Sequence, residues 1–313
     1  MSKNYICLDI GGTSIKSAII NSNNYIIKNT YNKKNLDSTR DKNYIIKNFI
    51  YPIKKNIEYL KKHNKIFDGI AIAIGGPFDY KKGISYIKNL DKYESIYGIN
   101  IKEVIQNKLN ISKKLPFIFD IDSWSFGRGE IQFKKYDKYN KAIVITMGTG
   151  VGSCFIINKK VIGKGRGIPY LGWLSGKKYK LGILNDYISS IYMVNKYYSI
   201  TKKKINVKTM AELAIKGDKT AKSIFSEIGS TLGLYLKKHY VKDFETECLI
   251  FGGQISLSSN LFINEIKNYL QNINNLKIVK AKDIETSALR GVCKLLIDNE
   301  HKRSLKNNTI IIK

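Results

Sequence analysis

Residues 9–16 read Asp-Ile-Gly-Gly-Thr-Ser-Ile-Lys, between the apolar run Tyr5–Ile10 and a second strand-like run, Ile15–Ile20. Glycines permit positive φ and let a backbone approach a ligand closely, and successive N–H groups in such a turn can bind an anion. The threonine adds a hydroxyl, the lysine a charge, and the aspartate a group that can hold Mg²⁺ through water. An ordinary hairpin turn would use the same residues, so both interpretations stay open here. The predicted nucleotide-binding residues of this motif are Asp9, Gly11, Gly12, Thr13 and Lys16.

The second half of the chain repeats this arrangement. An apolar strand is predicted at Lys141–Met147, followed by Gly-Thr-Gly-Val-Gly and a strand at Cys154–Asn158. A further strand, Leu249–Phe251, ends at two glycines, against which an adenine ring could lie. Neither a Walker A loop nor a dinucleotide fingerprint is present, yet three glycine turns that each end a strand indicate a nucleotide site. The predicted residues are Gly148, Thr149, Gly150, Gly152, Gly252 and Gly253.

The remaining pattern predicts alternating helices and strands without a flexible linker. Helices are expected at 42–63, 101–109, 123–130, 210–216, 219–238, 259–271 and 286–298, and strands at 25–28, 69–74, 116–121, 161–162 and 277–280. Helical spacing of apolar residues and short apolar runs that end in glycine support these assignments.

Composition narrows the possible functions. The 313 residues suffice for two domains, and no run reaches the roughly 18 apolar residues of a membrane span. No secretion signal precedes the first strand, so we expect a cytoplasmic protein with no membrane partner. The net charge of +29 comes from lysines spread along the whole chain, which favours a solvated surface over a nucleic-acid site. Four cysteines without a C-x-x-C pair and three scattered histidines predict neither a zinc site nor a histidine-centred mechanism.

The order of the motifs resembles that of the ROK family of sugar kinases and regulators. Residues 9–16 are followed by G-G-P-x-D at 75–79, a strand ending at Asp122, G-T-G-x-G at 148–152 and the two glycines at 252–253, and 214–221 resembles the family's A-x-x-G-D-x-x-A segment. The similarity covers about residues 4–298. It implies an α/β protein with the two-lobed actin-like ATPase (ribonuclease H-like) fold, in which helices flank mixed sheets and a cleft separates the lobes.

The resemblance also implies how the chain is organised and what it binds. The first lobe would comprise residues 1–121 with about 299–313, and the second lobe residues 122–298. ATP with Mg²⁺ would be the cofactors, a sugar-like small molecule the acceptor, and a homodimer the assembly. The reaction implied is transfer of the γ-phosphate to a hydroxyl of a sugar or sugar derivative, such as glucose or an N-acetylhexosamine.

Asp122 is the general base that the resemblance implies, because it lies eight residues before Glu130, as the catalytic aspartate does in the family. Asp120 lacks this spacing. Without the resemblance, Asp122 would be interpreted as a cap of the helix beginning at Ser123.

The sugar-binding positions depart from the family pattern. Ile121 and Trp124 stand where the family has asparagines, and Tyr170, Trp173 and Asn185 stand where it has Glu, His and Glu. The two aromatic side chains could stack on a ring or an apolar substituent, or pack inside the lobe, and the sequence leaves both open. The predicted substrate contacts are Gly76, Asn89, Asp122, Tyr170, Trp173 and Asn185.

These departures leave a second class of function open, a nucleotide- or sugar-binding paralogue without catalysis that acts as a sensor or scaffold. A third class, a transcriptional regulator, is disfavoured because the phosphate motif begins at residue 9, which leaves no room for a preceding DNA-binding segment.

Overall fold

The computed structural model describes the backbone of residues 2–310 and the side chains of residues 2–302. The chain divides into two units. Unit 1 runs to Glu130 and resumes at Glu285, and unit 2 is Ile131–Ile284. Residues 311–313, part of the segment assigned to the first lobe, lie outside the described residues.

The described residues contain fourteen strands and nine α-helices, besides short 3₁₀ turns. The strands are β1 (Asn4–Ile10), β2 (Ser14–Asn21), β3 (Asn32–Asn35), β4 (Gly69–Ile74), β5 (Phe78–Asp79), β6 (Ile84–Ser85), β7 (Phe117–Ile121), β8 (Lys141–Met147), β9 (Val151–Ile157), β10 (Lys160–Ile162), β11 (Lys178–Tyr179), β12 (Gly182–Ile183), β13 (Cys248–Gly252) and β14 (Lys277–Lys280). The helices are α1 (Lys42–Lys62), α2 (Ile101–Leu109), α3 (Asp122–Glu130), α4 (Asn185–Ile188), α5 (Ser190–Thr201), α6 (Val207–Ile215), α7 (Lys219–His239), α8 (Ile263–Leu270) and α9 (Ser287–Ile310).

Unit 1 is built on a five-stranded sheet in the order β3-β2-β1-β4-β7, in which β1, β4 and β7 are parallel. Successive residues of a strand point to opposite faces of its sheet, so β1 contributes to two cores. Ile6 and Leu8 pack with residues of α1 and α2, whereas Cys7 packs with residues of α9 on the other face. The central strands are covered on both sides, which explains why β4 is apolar throughout.

Unit 2 repeats this plan with a sheet in the order β10-β9-β8-β13-β14. Strands β8, β13 and β14 are parallel, and β9 and β10 continue the sheet as antiparallel strands. Its core joins β8 and β13 to α7 and α8. The family-like segment 214–221 lies at the α6–α7 turn, where Gly217 has a φ of 104° and Asp218 caps α7 by accepting the N–H of Ala221. This segment therefore shapes a helical turn.

The unit boundaries differ from the predicted lobe limits because α3 packs against α9. A Cβ on Gly291 would lie 1.7 Å from the Ser125 carbonyl oxygen, and a Cβ on Gly129 would lie 1.9 Å from that of Ser287. The two helices approach so closely that only glycine fits at these positions. Consequently 122–130 belongs to unit 1 rather than to the second lobe, and so does the chain from Glu285.

The strand predicted at residues 25–28 is wrong in position. Residues 25–28 contribute only an isolated bridge at Ile26, and the strand that pairs with β2 is β3. All four residues of β3 are exposed. Its sequence, Asn-Lys-Lys-Asn, therefore carries no apolar signal from which a strand could be predicted.

Replacing Gly291 by Ala should destabilise unit 1, because the added methyl group would overlap the backbone of α3. We expect the free energy of unfolding in urea to fall by about 2–3 kcal/mol. Asn299→Ala, a half-exposed position on the same helix, is the matched control and should change it by less than about 0.5 kcal/mol. Equal stability of the two variants would contradict the close packing of α3 and α9.

Candidate active site

Three parallel strands of unit 1 end side by side. Ile10 of β1 pairs with Ile74 of β4, and Ile74 pairs with Ile121 of β7. The next residue along each strand is Gly11, Gly75 or Asp122. The strand register therefore places the first glycine turn, the Gly-Gly segment and the predicted base along one edge of a single sheet, which is where open α/β sheets bind ligands.

Asp122 presents its two carboxylate oxygens differently. Oδ1 accepts a hydrogen bond of 2.7 Å from the N–H of Ser123, which fixes the carboxylate at the start of α3. Oδ2 lies 3.2 Å from the point that a Cβ on Gly75 would occupy, and within the described part of the chain it accepts no hydrogen bond from another residue. Anchoring the backbone uses only one oxygen, so the capping interpretation leaves the other oxygen available to a ligand.

The neighbouring acids are held by structural contacts. Asp120 forms an ion pair with Arg128 and accepts a hydrogen bond of 2.8 Å from the Ser125 hydroxyl. Glu130 is fully buried at the end of α3, where it accepts the Ser287 hydroxyl at 2.9 Å. Both carboxylates therefore hold α3 in place, one against β7 and the other against α9.

Gly75 and Gly76 leave a small space beside Asp122 that a Cβ would fill. The Cβ point of Gly75 lies 3.2 Å from Asp122 Oδ2 and 3.6 Å from Lys92 Nζ, and that of Gly76 lies 3.0 Å from the Tyr80 hydroxyl. The Tyr80 hydroxyl is fixed by donating to the Ile74 carbonyl at 3.1 Å. Any larger residue at 75 or 76 would enter this space.

The first glycine turn has free donors. The Gly11 N–H donates to the Ser14 carbonyl at 3.0 Å, and the Gly11 carbonyl accepts the Tyr93 hydroxyl at 2.5 Å. The N–H groups of Gly12 and Thr13 donate to no acceptor among the described residues. A fixed turn with two available N–H groups suits an anion such as phosphate.

The negative charge of Asp9, the predicted magnesium-binding residue, is partly balanced by Lys16 within unit 1. Lys16 Nζ lies 3.6 Å from Asp9 Oδ2 and 3.6 Å from Glu285 Oε2. No cluster of three or more metal-ligating side chains occurs among the described residues. Asp9 alone therefore suits an outer-sphere contact, through water, to a magnesium ion that a nucleotide would bring.

Burial controls the ionisation of both aspartates. It raises the pKa of Asp122, which the positive charge of Lys92 and the Ser123 N–H lower in turn. It also raises the pKa of Asp9, which Lys16 lowers and the negative charge of Asp122 raises further. A carboxylate that is removed from water and flanked by other acids is a better proton acceptor than an exposed one.

Two residues of this site, Lys92 and Tyr93, were not predicted. They follow Asn89, which is exposed and has a left-handed backbone with φ 58°. The sequence signal was weak, because Lys92 is one lysine among many and its approach to Gly75 depends on a loop fixed by tertiary hydrogen bonds.

Unit 2 assembles the other predicted turns. The Gly148 N–H donates to the Gly150 carbonyl at 2.9 Å, whereas the N–H groups of Thr149 and Gly150 donate to no acceptor in the described part of the chain. Gly253 adopts a φ of 78° against the end of β8, where its Cβ point lies 2.4 Å from the Met147 carbonyl oxygen. The turns at 148–152 and 252–253 therefore adjoin each other.

Asn185 supports the second glycine turn. Its side-chain oxygen accepts the Val151 N–H at 2.9 Å and lies 3.4 Å from the Cβ point of Gly150. Asn185, one of the predicted substrate contacts, is thus hydrogen-bonded to the glycine turn. Asn185, Tyr170 and Trp173 belong to unit 2, whereas Gly76, Asn89 and Asp122 belong to unit 1.

Tyr170 and Trp173 are exposed by 82% and 55%, so the alternative that they pack inside the lobe is wrong. Their backbone is nevertheless fixed, because Ser153 donates its hydroxyl to the Gly172 carbonyl and accepts the Leu174 N–H. The Trp173 ring lies over Gly176, where a Cβ would come within 2.5 Å of the indole. The two rings are therefore available to a ligand, and stacking stays a prediction.

None of the helices in the described range is long and apolar enough to cross a membrane.

The family model described as the ROK family matches residues 5–299 of the chain. Among curated proteins, an uncharacterized protein of Clostridium perfringens is 24% identical over 296 residues, which cover 92% of this chain and 95% of that protein. A xylose repressor of Caldicellulosiruptor bescii is 19% identical over 321 residues, which cover 94% of this chain and 78% of the repressor.

Among solved structures, a ROK family glucokinase from Streptomyces griseus in complex with glucose and AMPPNP aligns with a TM-score of 0.74 at 18% identity. The alignment covers 93% of this chain and 98% of the glucokinase. At this identity the likeness shows the fold, and it confirms the predicted fold class, the actin-like ATPase fold of the ROK sugar kinases.

Because Trp173 is exposed, Trp173→Ala should lower the free energy of unfolding by less than about 1 kcal/mol. Phe251→Ala, which empties a fully buried aromatic position in the same unit, should lower it by about 3–5 kcal/mol. Urea denaturation of both variants measures the difference. Comparable losses would restore the core-packing interpretation of Trp173.

Proposed function

The chain belongs to the ROK family, and we propose that it is an ATP-dependent carbohydrate kinase that transfers the γ-phosphate to a hydroxyl of a sugar or sugar derivative. The observation that carries the proposal is the carboxylate of Asp122, which is anchored through Oδ1 while Oδ2 lies 3.2 Å from the point that a Cβ on Gly75 would fill. The similarity to a glucokinase in complex with glucose and AMPPNP supports both ATP and a sugar as substrates. A cytoplasmic location is part of the proposal.

Each glycine turn is assigned as a site for nucleotide phosphates. Unit 1 offers the N–H groups of Gly12 and Thr13 with the Lys16 ammonium, and unit 2 offers those of Thr149 and Gly150. Gly11, Gly148 and Gly152 shape these turns, and Gly252 and Gly253 provide flat backbone for the adenine ring. Asp9 would hold Mg²⁺ through water, and the ion would neutralise charge on the phosphates.

Asp122 is assigned as the general base for the acceptor. The oxygen of the acceptor hydroxyl bonds to the γ-phosphorus of ATP while the hydroxyl proton passes to Asp122 Oδ2. The bond between the γ-phosphorus and the oxygen that bridges to the β-phosphate breaks, which releases ADP. The hydrogen bond from the Ser123 N–H holds the carboxylate in one orientation during this transfer. The products are the phosphorylated acceptor and ADP.

Further acceptor contacts are proposed in each unit separately. Gly76 leaves room beside Asp122, and Asn89 offers an exposed amide. Tyr170 and Trp173 present exposed rings that can stack on the face of a sugar or on an apolar substituent. Asn185 would contribute through its free amide N–H groups, because its oxygen already accepts the Val151 N–H.

A second candidate function is a nucleotide- or sugar-binding protein without catalysis. Engagement of Asn185 with the glycine turn favours it, because it removes one acceptor from the proposed sugar contacts. The similarity to a xylose repressor, which covers 94% of this chain, also favours it. The two functions differ in whether acceptor-dependent ADP release occurs.

Asp122→Asn should lower kcat for acceptor-dependent ADP release by about 10²–10⁴-fold, the usual contribution of a general base. The assay is coupled ADP release with glucose, mannose, fructose, the N-acetylhexosamines, glycosides, nucleosides and the sugar acids glucuronate and galacturonate. ATP affinity by calorimetry should stay within about threefold, because Asp122 is assigned to the acceptor. Wild-type protein that binds ATP yet releases no ADP with any acceptor would support the non-catalytic alternative.

The pH profile of kcat/KM should show an acid limb that belongs to Asp122. The deprotonated carboxylate is the active form, and burial raises its pKa, so activity should fall as pH drops through a value above the ordinary Asp pKa of about 3.9. Initial rates between about pH 4 and pH 8 measure this limb. Full activity down to the ordinary Asp pKa would contradict the assignment of a buried base.

A further inference from the structure

The charged groups of Lys92 and Asp122 both lie close to Gly75. Lys92 Nζ lies 3.6 Å and Asp122 Oδ2 lies 3.2 Å from the position that a Cβ on Gly75 would fill. Among the described residues, no ion pair within 4.0 Å joins Lys92 to Asp122. Glycine at 75 therefore leaves a space that is bordered by a cation and a carboxylate.

Lys92 differs from Arg128 and Lys16 in having no hydrogen bond or close ion pair among the described residues, although its charge acts on Asp122 at longer range. Arg128 is paired with Asp120, and Lys16 lies 3.6 Å from Asp9. Lys92 is half-buried, yet among the described residues it has neither a hydrogen bond nor an ion pair within 4.0 Å. A charged group withdrawn from water without a contact is unfavourable, and an anionic ligand would supply that contact.

The loop that carries Lys92 is fixed at several points. The Tyr93 N–H donates to the Ser38 carbonyl at 2.7 Å, and the Tyr93 hydroxyl donates to the Gly11 carbonyl at 2.5 Å. The Glu94 carboxylate accepts the N–H of Leu90 at 2.9 Å. Tyr93 also has a left-handed backbone with φ 55°, which is uncommon for a bulky residue and is maintained by these contacts. The backbone that carries Lys92 is therefore fixed beside Gly11 and Ser38.

We propose that Lys92 binds an anionic group of the acceptor, so that the preferred substrate is a sugar acid or a comparable anionic polyol rather than a neutral sugar. The proposal rests on the proposed kinase function, with Asp122 as the base for the acceptor hydroxyl. Lys92 offsets the repulsion that Asp122 would otherwise exert on such a substrate. The net charge of +29 further favours the approach of an anion.

An anionic oxygen near Lys92 could also come from the nucleotide, since a phosphate has the same charge chemistry as a carboxylate. The acceptor is favoured because Lys92 shares its open point with Oδ2 of Asp122, the atom assigned to the acceptor hydroxyl. The free phosphate donors of unit 1 are instead the N–H groups of Gly12 and Thr13.

The test compares acceptor pairs that differ in charge, glucose with glucuronate and galactose with galacturonate, in a coupled ADP-release assay. Wild-type protein should prefer the acid by at least about tenfold in kcat/KM, and Lys92→Met should abolish this preference. Lys88→Met, an exposed lysine of the same segment, is the matched control and should keep the preference. Lys92→Arg should restore part of it.

The outcomes separate this proposal from the kinase function. A wild-type preference for the neutral sugars, or a Lys92→Met defect confined to the KM for ATP, would overturn the assignment of Lys92 while leaving the kinase intact. Calorimetric titration of glucuronate and galacturonate into wild-type and Lys92→Met protein gives a readout that needs no catalysis. Lys92-dependent binding of the acids without turnover would sustain the assignment and contradict the kinase function.

Discussion

The site depends on the register of three parallel strands. Because Ile10, Ile74 and Ile121 are paired across β1, β4 and β7, the residues that follow them emerge at one edge of the sheet. Backbone hydrogen bonds and two buried faces fix this register, since a slip of one residue would exchange the side chains packed against α1 and α2 with those packed against α9. The position of Asp122 beside Gly75 is thus set by the sheet, and the local contacts only refine it.

Packing on the two faces of this sheet explains why the carboxylate of Asp122 differs from its acidic neighbours. Helix α3 starts at Asp122 and is held by Asp120 through Arg128 and by Glu130 through Ser287. These contacts use the two neighbouring acids and leave one oxygen of Asp122 open. Close packing of α3 on α9 then makes the end of the chain part of the support for the site.

The sequence predicted the parts that local patterns determine. Apolar runs that end in glycine located β1, β4, β8 and β13, and their order indicated the family. The exposed strand β3 was missed because its pairing with β2, rather than its composition, makes it a strand. Lys92 was missed because hydrogen bonds from Tyr93 to distant residues place it. Whether Tyr170 and Trp173 are buried could not be predicted either, since an aromatic side chain suits a core and a binding surface equally well.

The proposed role of Asp122, activation of an acceptor hydroxyl for phosphoryl transfer, can be tested by mass spectrometry of a mixed pool of neutral sugars and sugar acids after incubation with ATP and Mg²⁺. We expect one acceptor to gain a phosphoryl group with the wild-type protein and not with Asp122→Asn. Equal product from both proteins, or hydrolysis of ATP without any phosphorylated acceptor, would contradict it.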